Sequence, residues 1–152
     1  MIVVNTTFRL APWADALYAM DRKWWDVHID EVRRKFKGEL TSIQWRCHGV
    51  KKVTGLNPPR NSGAGAIALA ARYGARRVLL LGYDCQHTGG ERHWHGDHPP
   101  GTAGNAAPKT VAKWPQQFRE LKSRLRGIEV INATRETALD VFPRAELEQV
   151  LA

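Results

Sequence analysis

The run Arg76-Arg77-Val78-Leu79-Leu80-Leu81-Gly82 constrains the fold more than any other segment of the chain. Its apolar residues are consecutive rather than alternating, which describes a strand buried on both faces, as inside a parallel sheet. Just upstream lies Ala64-Gly65-Ala66-Ile67-Ala68-Leu69-Ala70-Ala71-Arg72-Tyr73-Gly74, a helix with small side chains that can pack closely on such a sheet. Asn61 or Ser62 can cap it, and Gly74 suits the left-handed position after its last turn.

The rest of the chain continues the alternation. Ile2-Val3-Val4 and Ala16–Met20 read as strands, the second ending at Asp21. Lys23 to Phe36 has helical spacing, with Trp24, Val27 and Val32 sharing one face. Leu40–Thr54 reads as two modest strands around Cys47-His48-Gly49, and Asn57-Pro58-Pro59-Arg60 as a loop. Downstream, Val111–Leu125 reads as a helix, Glu129–Asn132 as a strand and Ala145–Leu151 as a short helix. The pattern predicts one α/β domain over residues 1–152: a mostly parallel, doubly wound sheet with helices on both faces.

Composition narrows the setting. A chain of 152 residues is long enough for a real core, and no apolar run approaches the ~20 residues of a membrane span. Two cysteines, Cys47 and Cys85, are too few for a disulfide framework and fit a reducing cytoplasm. A net charge of +8 suits an acidic partner: a nucleotide, a phosphorylated sugar or nucleic acid. Much of the excess lies on helical stretches, where it also reads as a solvated face, and no nucleic-acid-binding motif accompanies it.

Parallel sheets bind ligands beyond the carboxyl ends of their strands. By that rule Asn5, Asp21 and Asp84 converge, each placed after a strand. The helix start at Asn61-Ser62-Gly63 adds free amides and a positive dipole end, suited to a phosphate or carboxylate. Asn61-Ser62 also fits an ordinary N-cap, and Asn5 an ordinary polar turn.

The densest chemistry is His93-Trp94-His95-Gly96-Asp97-His98, in a Gly/Pro-rich loop after the Leu79–Leu81 strand. Four groups able to bind a metal or move a proton fall within six residues. The spacing resembles the H-x-H-x-D-H signature of the metallo-β-lactamase superfamily, in which histidines and aspartate hold zinc that activates water. That resemblance implies a zinc-dependent hydrolase with His93, His95, Asp97 and His98 as ligands. The chain has no histidine after His98 to complete such a set. A simpler metal site would use His93, His95 and His98 with Cys85 or His87.

A second resemblance spans nearly the whole chain. It rests on the order of Asn5, the strand to Asp21, Asn61-Ser62-Gly63 with its alanine-rich helix, Val78-Leu79-Leu80-Leu81-Gly82-Tyr83-Asp84, the histidine loop, Ile128–Thr134 and Leu139–Phe142. The chain resembles a set of phage and prophage proteins. More distantly it is similar to a bacterial sialyltransferase family and to pterin-pyrophosphokinase-like proteins of the same Rossmann-like group. The resemblance implies a nucleotide- or nucleotide-sugar-binding domain of transferase type, with nucleotide contacts at Asn5, Asn61, Ser62 and Gly63. It also implies that His93, His95 or His98 is the general base, oriented by Asp97, with Asp84 structural or holding a sugar hydroxyl. Members of that group begin one strand earlier, with a Gly-rich phosphate loop. The expectation is therefore an N-terminally truncated domain or a start upstream of Met1, with an edge that invites self-association.

Most of the six tryptophans are expected to be core or partly buried, with Trp94 kept as a stacking surface. His28 and His48 read as surface or turn residues. Three function classes follow: a nucleotide-binding transferase-like domain, a zinc hydrolase or metal-binding protein, and a non-enzymatic phage accessory domain.

Overall fold

The computed structural model describes residues 1–44, 49–91 and 93–152. Trp45, Cys47 and His48 lie outside the described residues, and with them the expectations placed on them. The chain alternates strands and helices: β1 (Ile2–Val4), β2 (Ala16–Tyr18), α1 (Arg22–Lys35), β3 (Glu39–Ser42), β4 (Lys51–Lys52), α2 (Ser62–Arg72), β5 (Arg77–Leu80), α3 (Pro108–Val111), α4 (Trp114–Lys122), β6 (Glu129–Asn132) and α5 (Leu147–Leu151). Every strand pair is parallel.

Register explains how the larger sheet is buried. Strands β1 to β4 pair in chain order, aligning Val3 with Leu17 and Leu17 with Leu40. That row packs against Trp24, Trp25, Ile29 and Val32 of α1. Because side chains alternate across a strand, Ile2, Val4 and Tyr18 point to the other face, where they meet Ala66 and Leu69 of α2. The four-stranded sheet thus carries helices on both faces, as the alternation predicts.

The second half departs from expectation. Strands β5 and β6 form a separate two-stranded sheet rather than extending the first. Val78 and Leu80 are covered by Ile67 of α2 and by Phe118 and Leu121 of α4. Leu79, on the opposite face, is only half-buried, and Leu81 is 55% exposed. The doubly buried strand read from Val78–Leu81 is therefore covered mainly on one face, because α2 and α4 both pack on the side of Val78 and Leu80. Helix α2 ties the halves together, one stripe packing on each sheet. Its approach to β2 needs Gly65, where any Cβ would overlap the Tyr18 ring.

Two local readings also change. The helix expected over Val111–Leu125 is interrupted: α3 ends at Val111 and α4 restarts with proline in its first turn, where a missing N–H costs nothing. Asp21 does not end a strand; its carboxylate accepts from the Lys23 amide at 2.9 Å and caps α1. On α1 the buried stripe is Trp24, Trp25, His28, Ile29 and Val32, and Val27 is exposed. At 100° per residue Val27 points about 130° from the middle of that stripe. Among the described residues no helix is long and apolar enough to cross a membrane.

Candidate metal centre

The histidine loop is shaped by its glycines and by one asparagine. The Gly96 amide donates to the His93 carbonyl at 3.1 Å, and Gly96 sits at φ +81°, a left-handed conformation that closes the turn at little cost. Asn105 clamps the far side: its Oδ1 accepts from the His98 amide at 3.0 Å and its Nδ2 donates to Asp97 Oδ1 at 2.7 Å. Gly101 lies against α1, since a Cβ there would sit 3.2 Å from Val27 Cγ2. The loop is thus laid across the helix that carries His28.

This folding gathers three imidazoles. His93, His95 and His98 each offer a ligand atom, and all three atoms lie within 4.8 Å of one another. The rings of His93 and His95 stack 2° from parallel with centroids 5.1 Å apart, and His98 stands edge-on to both, at 4.5 and 5.2 Å. Nε2 of His93 and Nδ1 of His98 are sealed from water with no hydrogen-bond partner among the described residues. Buried polar atoms are rarely left so without a reason.

Electrostatics favour the neutral rings. Burial, then the neighbouring His98 and His95, pushes His93 down to about 4. His95 is lowered by burial, by His98 and by Arg9. His98 is lowered by burial, against the opposing pull of Asp97 and Asp21. Neutral imidazoles crowded together, two of them with an unpartnered ring nitrogen, are in the form that binds a metal.

The other expected residues divide. Asp97 is not among the converging donors; it is held by Asn105. Cys85 and His87 also stand outside the set, and burial, reinforced by Asp84, pushes the Cys85 thiol up to about 12, far from the thiolate a metal takes. Asn61 caps α2, its Oδ1 accepting from the Ala64 amide at 3.2 Å. Ser62 Oγ accepts from the Met20 amide at 3.4 Å, fixing the start of α2 beside the end of β2. Gly63 serves packing: its carbonyl accepts from the Tyr83 hydroxyl at 3.1 Å, and a Cβ would lie 2.8 Å from that ring. Asn5 adopts φ +49° and leaves its Oδ1 buried without a partner.

Asp84 faces a different space. It lines a cavity of about 530 Å³ at the ends of β5 and β6, together with Arg135, Glu136, Glu146 and Glu148. Burial and then the nearby Glu136 raise the Asp84 carboxyl.

Two residues missed in the sequence lie within electrostatic reach of the histidine site. His28 is buried, not a surface residue: it is 4% exposed, tilted against Trp24 with ring centroids 4.7 Å apart, and its Nε2 has no partner. Its position four residues after Trp24 and four before Val32 is the signal that places it on the buried stripe. Arg9 grips Glu31 of α1 through two bonds, at 3.0 and 2.6 Å, and its charge reaches both His28 and His95. Trp94 is 55% exposed beside His95, its ring edge-on at 5.3 Å. No protein family, curated protein or solved structure matches the chain.

Proposed function

We propose that this chain is a metal-binding α/β domain in which His93, His95 and His98 hold one divalent transition ion, zinc by ligand type. The observation that carries this reading is the convergence of three imidazole donors within 4.8 Å. Zinc–nitrogen bonds of about 2.0–2.1 Å put tetrahedral donors roughly 3.4 Å apart, so donor separations of up to 4.8 Å need to close by no more than about 1.4 Å. Three protein ligands leave a fourth position for a small ligand or a substrate oxygen, the arrangement of hydrolytic rather than structural sites. The same burial argues against a free histidine acting as base. A ring pushed down to about 4 is a weak proton acceptor at neutral pH.

Calorimetric titration of chelator-treated protein with zinc tests this reading. One equivalent should bind, with binding lost in His93→Ala and His98→Ala and kept in Asp97→Ala. A wild-type protein that takes up no stoichiometric zinc overturns it.

A nucleotide or nucleotide-sugar is the molecule this centre would act on in a Rossmann-like domain of transferase or hydrolase type. What favours it is position: Asn5 follows β1, Asp21 follows β2, and Ser62 is tied to Met20. These residues share the carboxyl end of one parallel sheet with the histidines, whose His98 feels the Asp21 charge. The orphaned Oδ1 of Asn5 offers an acceptor for a base amine or ribose hydroxyl. Nucleoside diphosphates titrated into zinc-loaded protein should bind, and Asn5→Ala should weaken them. Equal affinity in the variant removes Asn5, and no binding of any nucleotide removes the reading.

A further inference from the structure

Helix α1 carries a fourth imidazole within electrostatic reach of the histidine site. His28 is buried, and its Nε2 is sealed from water without a hydrogen-bond partner. Gly101 of the histidine loop packs on Val27 of the same helix, about 100° round the axis from His28. His95 and His98 are near enough for their charges to act on the His28 ring, together with Arg9 and Glu31. Yet His28 is not one of the donors that meet within 4.8 Å. It is close to the centre and outside its ligand set.

We propose that His28 is a positioning residue for the open coordination position, its Nε2 accepting a hydrogen bond from the small ligand held there. The inference rests on the three-histidine metal reading. An ion among His93, His95 and His98 with a water about 2 Å beyond it would put a hydrogen-bond acceptor some 4–5 Å from the ion. An acceptor held at that range would be too far to ligate and well placed to steer, and His28 has an unused one. This accounts for a buried imidazole nitrogen that otherwise goes without a hydrogen bond. It also explains why a polar residue interrupts the apolar stripe of α1. Partners at this distance hold a metal's ligands in orientation.

The test begins with the unaltered protein. Long-range nitrogen–proton spectra of histidine-labelled protein, recorded before and after zinc, report each ring nitrogen separately. Three rings should take the shifts of metal-bound imidazole, while His28 Nε2 takes that of a hydrogen-bond acceptor. A His28 signal indifferent to zinc, or one showing direct ligation, overturns the proposal. Failure of all four rings to respond strikes the metal reading itself, which keeps the two failures distinct.

Variants then separate steering from packing. His28→Phe keeps the ring against Trp24 and removes the acceptor, whereas His28→Gln restores a polar acceptor of similar reach. With cobalt in place of zinc, the Phe variant should change the visible ligand-field band and bind azide about tenfold differently, and the Gln variant should recover the original behaviour. Identical bands and azide affinity in wild type and a folded Phe variant defeat the proposal.

Discussion

The two sheets of this domain open onto two differently built mouths. At the end of the four-stranded sheet, three imidazoles crowd together and burial favours their neutral form, two of them with an unpartnered ring nitrogen. At the end of the two-stranded sheet, a cavity of about 530 Å³ is lined by Asp84, Glu136, Glu146 and Glu148, with one arginine among them. Both lie where parallel strands end, yet desolvation acts on them with opposite consequences. It strips protons from histidines and so prepares ligands; it raises Asp84 and so discourages the charge a cation would seek. Sheet position alone does not make a site. The chemistry of the side chains delivered there does.

Removing the imidazoles should break the contrast most severely. His95→Ala or His98→Ala should lower zinc affinity by at least on the order of 100-fold, since losing merely an outer partner of a ligand costs 10–100-fold. Asp84→Asn with Glu136→Gln should leave the titration curve unchanged; an equal loss there would put the metal at the wrong mouth.

The helix that joins the halves comes next. Gly65→Ala forces a methyl group into the Tyr18 ring and should cost about 1–3 kcal/mol or more in urea unfolding. Gly74→Ala, where φ is +85° and nothing lies within 4 Å, probes backbone strain without the clash and should cost less, about 1 kcal/mol. If the two variants are equally stable, α2 does not approach β2 as closely as described.

A smaller effect distinguishes the mouths by pH. The Arg9 guanidinium, followed by the Lys35 ammonium, holds Glu31 down at about 2 instead of its ordinary 4.5. Its contribution is complete above the ordinary value and is lost as pH falls toward about 2. Because the pair is partly exposed, the effect is on the order of 0.2–1 kcal/mol. Glu31→Gln should flatten that part of the stability–pH curve.

The smallest change is expected at Asp84. Its raised carboxyl has the opposite sign: folding is favoured while it is protonated, and that advantage fades as pH rises through the raised value. Asp84→Asn should therefore stabilise slightly at neutral pH, by about 0.5 kcal/mol or less. Destabilisation instead would mean that the charged form is held by a partner.

Local signals in the sequence carried the strands, the α2 cap at Asn61 and the histidine loop, because each rests on periodicity or spacing within a few residues. The parting of the strands into a sheet of β1 to β4 and a sheet of β5 and β6 was not legible, since strand pairing across the chain leaves no local trace. His28 was misplaced for another reason: Trp24 was grouped with Val27 and Val32, which hid the stripe through Trp25 and Ile29. Asp97 looked like a ligand by its spacing, but an asparagine eight residues later claims it. Cys85 and His87 fell out because being near in sequence is not being near in space.

The three donors occupy only six positions of the chain, and this has a thermodynamic consequence. Gathering them closes a very small loop, so little configurational freedom is surrendered even when the rest of the polypeptide is unfolded. On the proposed metal reading, the denatured chain should therefore keep a measurable affinity for the same ion. Whatever binds both states shifts the balance between them only by the difference. Heating the loaded protein should reveal a much smaller gain than its titration implies, and the ion should already be aboard while the sheets assemble.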